Sequence, residues 1–334
     1  MIIVTSITKS EIIGIANAIL DMNPHPVARY RLFRDVLKLP STSQELSNAY
    51  EDLQTSQSVQ ILSQEQRSDG SWGRFHSRNT KETHTILTTE IGVERALSLG
   101  LDTRHAILQS ARDYICQILD KSIPFPDPPE KNERWEIGTR LFTASTLSLI
   151  APAHPNLDRD RALWKEIANR TFQSGKYCEE DEIKAHRDLT GVFMQNTYLI
   201  FSGKYQLNIL GSNPGLLSSK IEESLLKWLW KRPKGIGYLT VPLDRPPQTQ
   251  KQVDPWLASC ELLARGFPGW VNFAQDSMNW LWRQRNSEGL WDFGPKPLSL
   301  ANLPLSDTWQ KKNDRIADWT TRVLCLMQMF IDRI

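Results

Sequence analysis

"EQRSDGSWGRFHSR", Glu65 to Arg78, interrupts a chain that otherwise reads as helices, and it holds two things at once. Its first half is a polar Gly–Ser–Trp turn. Its second half sets Phe75 and His76 between Arg74 and Arg78. A turn at the surface has no need of an indole unless that ring packs against something, because Trp is mostly apolar surface with a single N–H donor. The stretch "WLWRQRNSEGLWDFG", Trp280 to Gly294, runs the same course: a helix end, a Gln–Arg pair, a polar residue and an acid, Gly, then Trp. "KWLWKRPKGIGYL", Lys227 to Leu239, is a fainter copy in which Gly237 marks the turn and Tyr238 stands near the Trp position. Two further turns are expected around Trp135 and Tyr177. Self-similarity at roughly fifty residues is the mark of a repeat architecture.

The segments between these turns are of two kinds. "HAILQSARDYICQIL" (His105 to Leu119) and "WVNFAQDSMNWLW" (Trp270 to Trp282) carry apolar residues along one stripe, as helices with one wet face do. "LFTASTLSLIA" (Leu141 to Ala151), "LTGVFMQNTYLIF" (Leu189 to Phe201) and "WTTRVLCLMQMFI" (Trp319 to Ile331) are apolar or small almost all round, which predicts burial on every side. No segment alternates with period two between hairpin turns, so strands are not expected. One-sided and fully buried helices in alternation predict an all-α fold. The arrangement expected is an α/α toroid, a double ring of about six helical hairpins spanning residues 1–334 as one domain, with 1–55 as a divergent first repeat. Connections leading into the buried helices are long and the return connections short, so one end of the ring is expected to carry a site.

Bulk properties narrow the function. The chain has 334 residues, a net charge of +2 and no dense Lys/Arg run, which gives no nucleic-acid footprint. Four cysteines without a CxxC pair suit neither a disulfide framework nor a zinc ribbon. The opening "MIIVTSITKS" lacks the pattern of a signal peptide, and Leu141 to Leu157 is too broken by prolines and hydroxyls to be a membrane span. A cytoplasmic protein is expected, with a small hydrophobic or amphipathic molecule as partner and transient membrane contact left open. Twelve tryptophans are many for this length.

With these turns in hand, the chain resembles the squalene–hopene cyclase and prenyltransferase superfamily, whose mark is the QW repeat of Gln, a Gly-containing turn and Trp. "QRSDGSW" (Gln66 to Trp72) matches it closely, and "QRNSEGLW" (Gln284 to Trp291) matches with one extra residue. The resemblance implies an α/α toroid in which the repeat Trp stacks on a neighbouring helix end and the Gln bonds the turn's backbone. It also implies a terpenoid cyclase-like or prenyltransferase-like enzyme acting on an isoprenoid. Two departures stand out. The Asp-x-Asp-Asp acid motif of class II terpene cyclases is missing, and so is the Asp-x-Cys pair that binds zinc in protein prenyltransferases. No metal or cofactor is therefore expected, with Mg2+ an option if the substrate is a diphosphate. Asp254, Cys260 and His186 are the residues left from which a zinc site could be imagined. The run Glu179 to Glu182 reads as a solvated helix start.

If buried helices begin just after the long loops, their first turns face the barrel mouth. They carry Lys81, Glu82 and His84; Trp135 and Arg140; His186, Arg187 and Asp188; Asp254 and Trp256; and Arg315, Asp318 and Trp319. The loops add Arg74, His76, Arg78, Tyr238, Trp291, Asp292 and Trp309. Asp318, Asp254 and His186 are the candidate acid–base residues, the carboxyls because an apolar barrel would raise their pKa. Arg74, Arg78, Arg140, Arg187 and Arg315 are candidates for an anionic head group. Trp135, Tyr238, Trp256, Trp291, Trp309 and Trp319 would hold an apolar tail or stabilise a carbocation, and His76 would join the substrate-binding set, with His76 and His84 as further general-base candidates. Against each stands a plainer role: helix capping for the acids, fold reinforcement for Gln66, Trp72, Gln284 and Trp291, and cross-mouth pairing for the arginines. A non-catalytic toroid that binds a ligand or a protein, and a lyase or glycan-active toroid, are the alternatives. An isoprenoid enzyme requires a deep apolar cavity ending in arginine, behind Arg140 in particular. The segment Arg74 to Arg78 has no counterpart after Trp291, where the chain runs "DFGPK", so that is where a specific function is expected.

Overall fold

The computed structural model describes residues 7–192, 199–295 and 301–334. They form fourteen α-helices, and among the described residues there is no strand, only one isolated backbone bridge between Gly203 and Gly237. In chain order the helices are α1 Lys9–Asp21, α2 Pro26–Arg31, α3 Gln44–Gln54, α4 Gln57–Glu65, α5 Thr89–Ser98, α6 Ala106–Leu119, α7 Trp135–Ile150, α8 Asp158–Thr171, α9 Glu179–Thr190, α10 Lys204–Gly211, α11 Ser219–Lys231, α12 Gln250–Gly266, α13 Val271–Arg283 and α14 Lys312–Ile331. No helix among the described residues is long and apolar enough to cross a membrane.

The two classes of helix read from the sequence are present. α6 buries Ile107, Leu108, Ala111, Tyr114, Ile115, Ile118 and Leu119 along one stripe. α14 buries every residue from Ile316 to Gln328, and α7 buries an unbroken run from Leu141 to Ser148. The all-round buried helices pack on one another in sequence: α5 on α7, α7 on α10, α10 on α12, α12 on α14, and α14 on α2. Arg31, the last residue of α2, and Arg34 just beyond it donate to the carbonyls of Ser98 and Gly100 at the end of α5. The one-sided helices lie against this set, α4 on α5, α6 on α5 and α7, α8 on α10, and α1 on α14.

Three local expectations change. The buried helix expected over Leu189 to Phe201 is not formed as such. α9 stops at Thr190 because Gly191 takes a left-handed φ of +74° as its C-cap, and 193–198 lie outside the described residues. The buried helix in this part of the chain is the short α10, entered through Gly203. Lys81, Glu82 and His84 do not open a helix either. The Thr88 hydroxyl accepts from Ile91 N, so α5 begins at Thr89 and those three residues stay in the loop. His186, Arg187 and Asp188 sit in the second half of α9 rather than in its first turn. The acidic run at its start is split: Glu179 and Glu180 are exposed, but Glu182 is fully buried and accepts from the Tyr177 hydroxyl (2.6 Å) and Phe201 N (2.7 Å).

The turns at Trp72 and Trp291 are built alike. Each indole is buried and donates to a carbonyl ten residues back, Trp72 to Leu62 (2.9 Å) and Trp291 to Leu281 (2.7 Å). Each backbone N–H donates to a threonine hydroxyl on the next buried helix, Thr89 (3.1 Å) and Thr320 (3.0 Å). Matching bonds from Gly70 to Arg67 and from Gly289 to Asn286 fix the register. That register places Arg285, not Gln284, opposite Gln66. Gln66 bonds the carbonyls of Gly70 and Ile107, as a QW glutamine should, whereas Arg285 lies over the Trp282 ring at 4.0 Å. The bond from Gly235 to Arg232 sets the third turn in the same register, so Gly237 takes the tryptophan's place there. The turn expected at Tyr177 repeats this bond, from Gly175 to Phe172, and its ring stacks on Trp228 at 4.1 Å, whereas Trp135 opens α7.

Candidate functional site

The half of the opening stretch that the turn does not require is held from two sides. Asp127, buried in the loop between α6 and α7, accepts from Phe75 N (2.6 Å), His76 N (3.1 Å) and Ser77 N (2.5 Å). Facing it, Thr89 N and Glu90 N at the start of α5 donate to the carbonyls of Arg74 and Phe75. Helix starts leave N–H groups without intrahelical partners, and here the loop supplies them. The result is a fixed backbone under His76.

His76 meets side chains from three buried helices. Its Nδ1 lies 2.8 Å from the Glu90 carboxylate on α5 and 3.3 Å from the Tyr205 hydroxyl on α10. The imidazole stacks on Phe142 of α7 with centroids 4.0 Å apart and planes 12° from parallel. Tyr205 and Tyr238 present their rings edge-on to it at 5.8 and 6.3 Å. Glu90 also accepts from Tyr205 (2.8 Å) and pairs with Lys204 (2.7 Å), whose ammonium reaches Glu94 one turn along α5 at 2.9 Å.

These contacts fix the charge states beneath the ring. Burial alone would raise the Glu90 pKa, but the Lys204 charge and the bond from His76 pull it down to about 2. Burial disfavours the Lys204 ammonium, yet Glu90 and Glu94 hold its pKa well above the ordinary value. Burial and then the Glu90 charge push the Tyr205 phenol well above its usual range. Glu90 is thus an anion, Lys204 a cation and Tyr205 a neutral donor. His76 is the member with access: its side chain is 29% exposed, and Nε2 makes no hydrogen bond among the described residues. Imidazole suits proton exchange in neutral water.

A cavity of about 410 Å3 adjoins this cluster at Tyr238. Its walls are Ile200 to Gly203, Arg134, and the third turn from Arg232 to Thr240. Tyr238 is 46% exposed. A larger cavity of about 870 Å3 lies behind Arg140 among α6, α7, α8 and the end of α9, walled by Phe125, Trp135, Leu141, Leu163 and Trp164. There Arg140 is bound through two nitrogens to Asp160 (2.9 and 2.7 Å).

The remaining sequence-derived candidates are dispersed. Asp254 is buried against Arg322, which also grips Glu261 at 2.7 and 2.9 Å. Asp318 is fully buried, and its Oδ2 accepts from Leu305 N, Ser306 N and the Ser306 hydroxyl at 2.8 to 2.9 Å. Burial raises its pKa to about 7, and Oδ1 has no hydrogen bond. His186 is fully buried beside Trp164 with neither ring nitrogen hydrogen-bonded and Glu182 at 3.7 Å. Trp256 and Trp291 are core side chains, while Trp309 and Trp319 tie down the last loop through Pro295 and Gly294 carbonyls. Arg315 pairs with Asp292 (2.9 Å), and exposed Arg187 lies 3.8 Å from Asp188. Arg74 reaches only the Arg78 carbonyl (3.4 Å), and Arg78 is exposed. The five arginines therefore do not converge. His76 and Tyr238 do, and so do Trp135 and Arg140.

Glu90, Lys204, Tyr205, Phe142 and Asp127 were not among the residues the sequence singled out. Glu90 and Glu94 were legible, being two acids one turn apart at the start of the helix that follows the Trp72 turn and its loop. "SGKYQL" (Ser202 to Leu207) matches no phosphate-loop frame, which hid the lysine and tyrosine that matter here. No group of three His, Cys, Asp or Glu side chains among the described residues is placed to hold a metal, Asp254, Cys260 and His186 included. In comparisons with known proteins, the chain matches no family model, no curated protein and no solved structure.

Proposed function

We propose that this chain is an α/α toroid enzyme, terpenoid cyclase-like or prenyltransferase-like, that acts on an isoprenoid with His76 as its acid–base residue. The toroid reading is supported by the neighbour-to-neighbour packing of α2, α5, α7, α10, α12 and α14, with the Arg31 and Arg34 bonds joining α2 to the end of α5. One observation carries the function. An accessible imidazole, backed by an ionised carboxylate and walled by three aromatic rings, sits in the segment that the repeat does not require. Glu90 fixes the ring orientation, and Nε2 is left to take a proton from an apolar substrate. The exposed Tyr238 ring suits a passing carbocation, whereas Phe142 is covered by the imidazole and Tyr205 carries the Lys204 ammonium over its ring. The cavity behind Arg140 supports this reading through its walls Phe125, Trp135, Leu141, Leu163 and Trp164, beside which Lys121, Glu136, Arg159 and Asp160 also line it.

A ligand-binding toroid without chemistry is the second reading, favoured by the way Lys204 ties α10 to Glu90 and Glu94. The two separate on product formation. Purified protein is incubated, with and without Mg2+, with farnesyl diphosphate, geranylgeranyl diphosphate and squalene, and extracts are read by gas chromatography–mass spectrometry. The enzyme reading expects a product that His76→Ala reduces about a hundredfold or more. Binding of these substrates with no turnover in the wild type would favour the second reading.

A further inference from the structure

The cavity beside Tyr238 exists because the third turn departs from the other two. At Trp72 and Trp291 the turn fills its own space with an indole; Trp72 lies so close to Gly92 that a Cβ there would meet the ring at 2.5 Å. At the third turn the equivalent residue is Gly237, whose backbone runs directly against Ser202 and Gly203 (Gly237 N to Ser202 O, 2.8 Å). A Cβ on Gly237 would come within 3.2 Å of the Gly203 Cα, so the approach needs glycine on that side. What lines the space left open is one-sided in charge. Arg134, Arg232 and Lys234 face it together with the hydroxyl-bearing Ser202, Tyr238 and Thr240, and no Asp or Glu lines it.

Arg232 is the informative member. It stacks on Trp228 at 4.6 Å and spends Nε on the Gly235 carbonyl (3.0 Å). Its two terminal nitrogens make no ion pair or hydrogen bond among the described residues. Burial lowers its pKa from the ordinary arginine value, and the nearby Tyr177 and Glu182 only partly oppose this. Arg140, Arg315 and Arg322 each have a carboxylate, whereas Arg95 and Arg265, also on the buried helices, bond Ser58 and Asn208 instead. A planar fork held by stacking, with no carboxylate in direct contact among the described residues and in a cavity rich in hydroxyls, is suited to an oxyanion.

We infer that this cavity binds the oxyanion head group, phosphoryl or carboxylate, of a ligand whose remainder extends past Tyr238 toward His76. The inference rests on the proposed function for the identity of the molecule that carries the anion. The head-group site can be tested apart from it. Inorganic pyrophosphate, inorganic phosphate and succinate are titrated into the full chain by calorimetry at low ionic strength, using wild type, Arg232→Gln/Lys234→Gln and His76→Ala.

The expected result is saturable binding of at least one anion to wild type. The double variant should weaken it roughly tenfold or more, while His76→Ala leaves it nearly unchanged. Preference for the phosphates over succinate, or the reverse, identifies the head group. No binding by wild type to any of the three, or equal binding by the double variant, overturns the site. Either outcome leaves the role of His76 to its own product assay. Lys234 is exposed, so Lys234→Gln alone carries the same comparison if the double variant does not fold.

Discussion

The turns at Trp72 and Trp291 share a skeleton and differ in everything laid over it. Both close a bond from the indole to a carbonyl ten residues back, and both dock on a threonine of the next buried helix. After Thr89 comes Glu90, with Glu94 one turn on; after Thr320 comes Thr321, with Cys325 one turn on. The first helix thus offers two carboxylates, which Lys204 and His76 answer. The second offers a threonine with no hydrogen bond to its hydroxyl and a buried thiol. The loops differ in the same sense. Asp127 clamps three N–H groups so that His76 can stand out, whereas Asp318 clamps Leu305 and Ser306 and exposes no titratable ring. A repeated turn is the part the fold needs, and the proposed chemistry is placed where the copies diverge.

That comparison can be broken at either end. Trp72→Ala and Trp291→Ala should be the most damaging changes, each costing about 3–5 kcal/mol by thermal or urea unfolding, since both rings are buried to the same degree. If one is well tolerated, the shared skeleton is not shared in energy. Lys204→Met is next. It strands Glu90 and Glu94 against each other, and breaking a buried pair of this kind costs about 3–5 kcal/mol before relaxation and the partial exposure of Glu94 reduce it.

The two buried carboxyls should also respond to pH with opposite sign. Glu90 has a folded pKa lowered from 4.5 to about 2, so its stabilising contribution is present above 4.5 and lost as pH falls toward 2. Asp318 has a folded pKa raised from 3.8 to about 7, so its contribution is intact below 3.8 and lost as pH rises through 7. Stability measured by urea unfolding from pH 2 to 8 should therefore lose an acid limb in Glu90→Gln and a neutral limb in Asp318→Asn. Identical profiles in either variant would contradict the assigned charge states. The smallest effect separates the two glutamines. Gln66→Ala should cost about 1–2 kcal/mol for its two bonds to carbonyls. Gln284 is exposed and makes only a 3.4 Å contact, so its change to alanine should stay within about 0.5 kcal/mol.

Much of the fold was legible because it is written in periodicity. The one-sided stripe of α6 and the all-round burial of α7 and α14 are properties of single segments, and a linear reading recovers them. Boundaries set by one residue were harder. Gly191 ends α9 by taking a left-handed φ, and Thr88 starts α5 through one hydroxyl, while neither interrupts the apolar pattern strongly. The register of the second turn was misread at Gln284 because a one-residue insertion and a Gln–Arg pair look alike in a string; the backbone bond from Gly289 to Asn286 decides it.

The candidate site was legible only in part, for a physical reason. His76 and Tyr238 stand in loops that break a repeat, which is visible in sequence. Glu90, Phe142, Lys204 and Tyr205 come from three different helices, and nothing local says that α5, α7 and α10 meet. The arginines were over-read from their number, since Arg140 and Arg315 each find a carboxylate that the sequence places far away or does not pair.

Whether His76 is a working group or a strut can be measured directly. Diethyl pyrocarbonate acylates accessible, unprotonated imidazole, and peptide mapping by mass spectrometry reports each histidine separately. His76 should be modified in the free protein and protected by substrate, with product formation falling in step with its modification, while His186, fully buried, stays unmodified. Full modification of His76 with product formation intact would contradict the account.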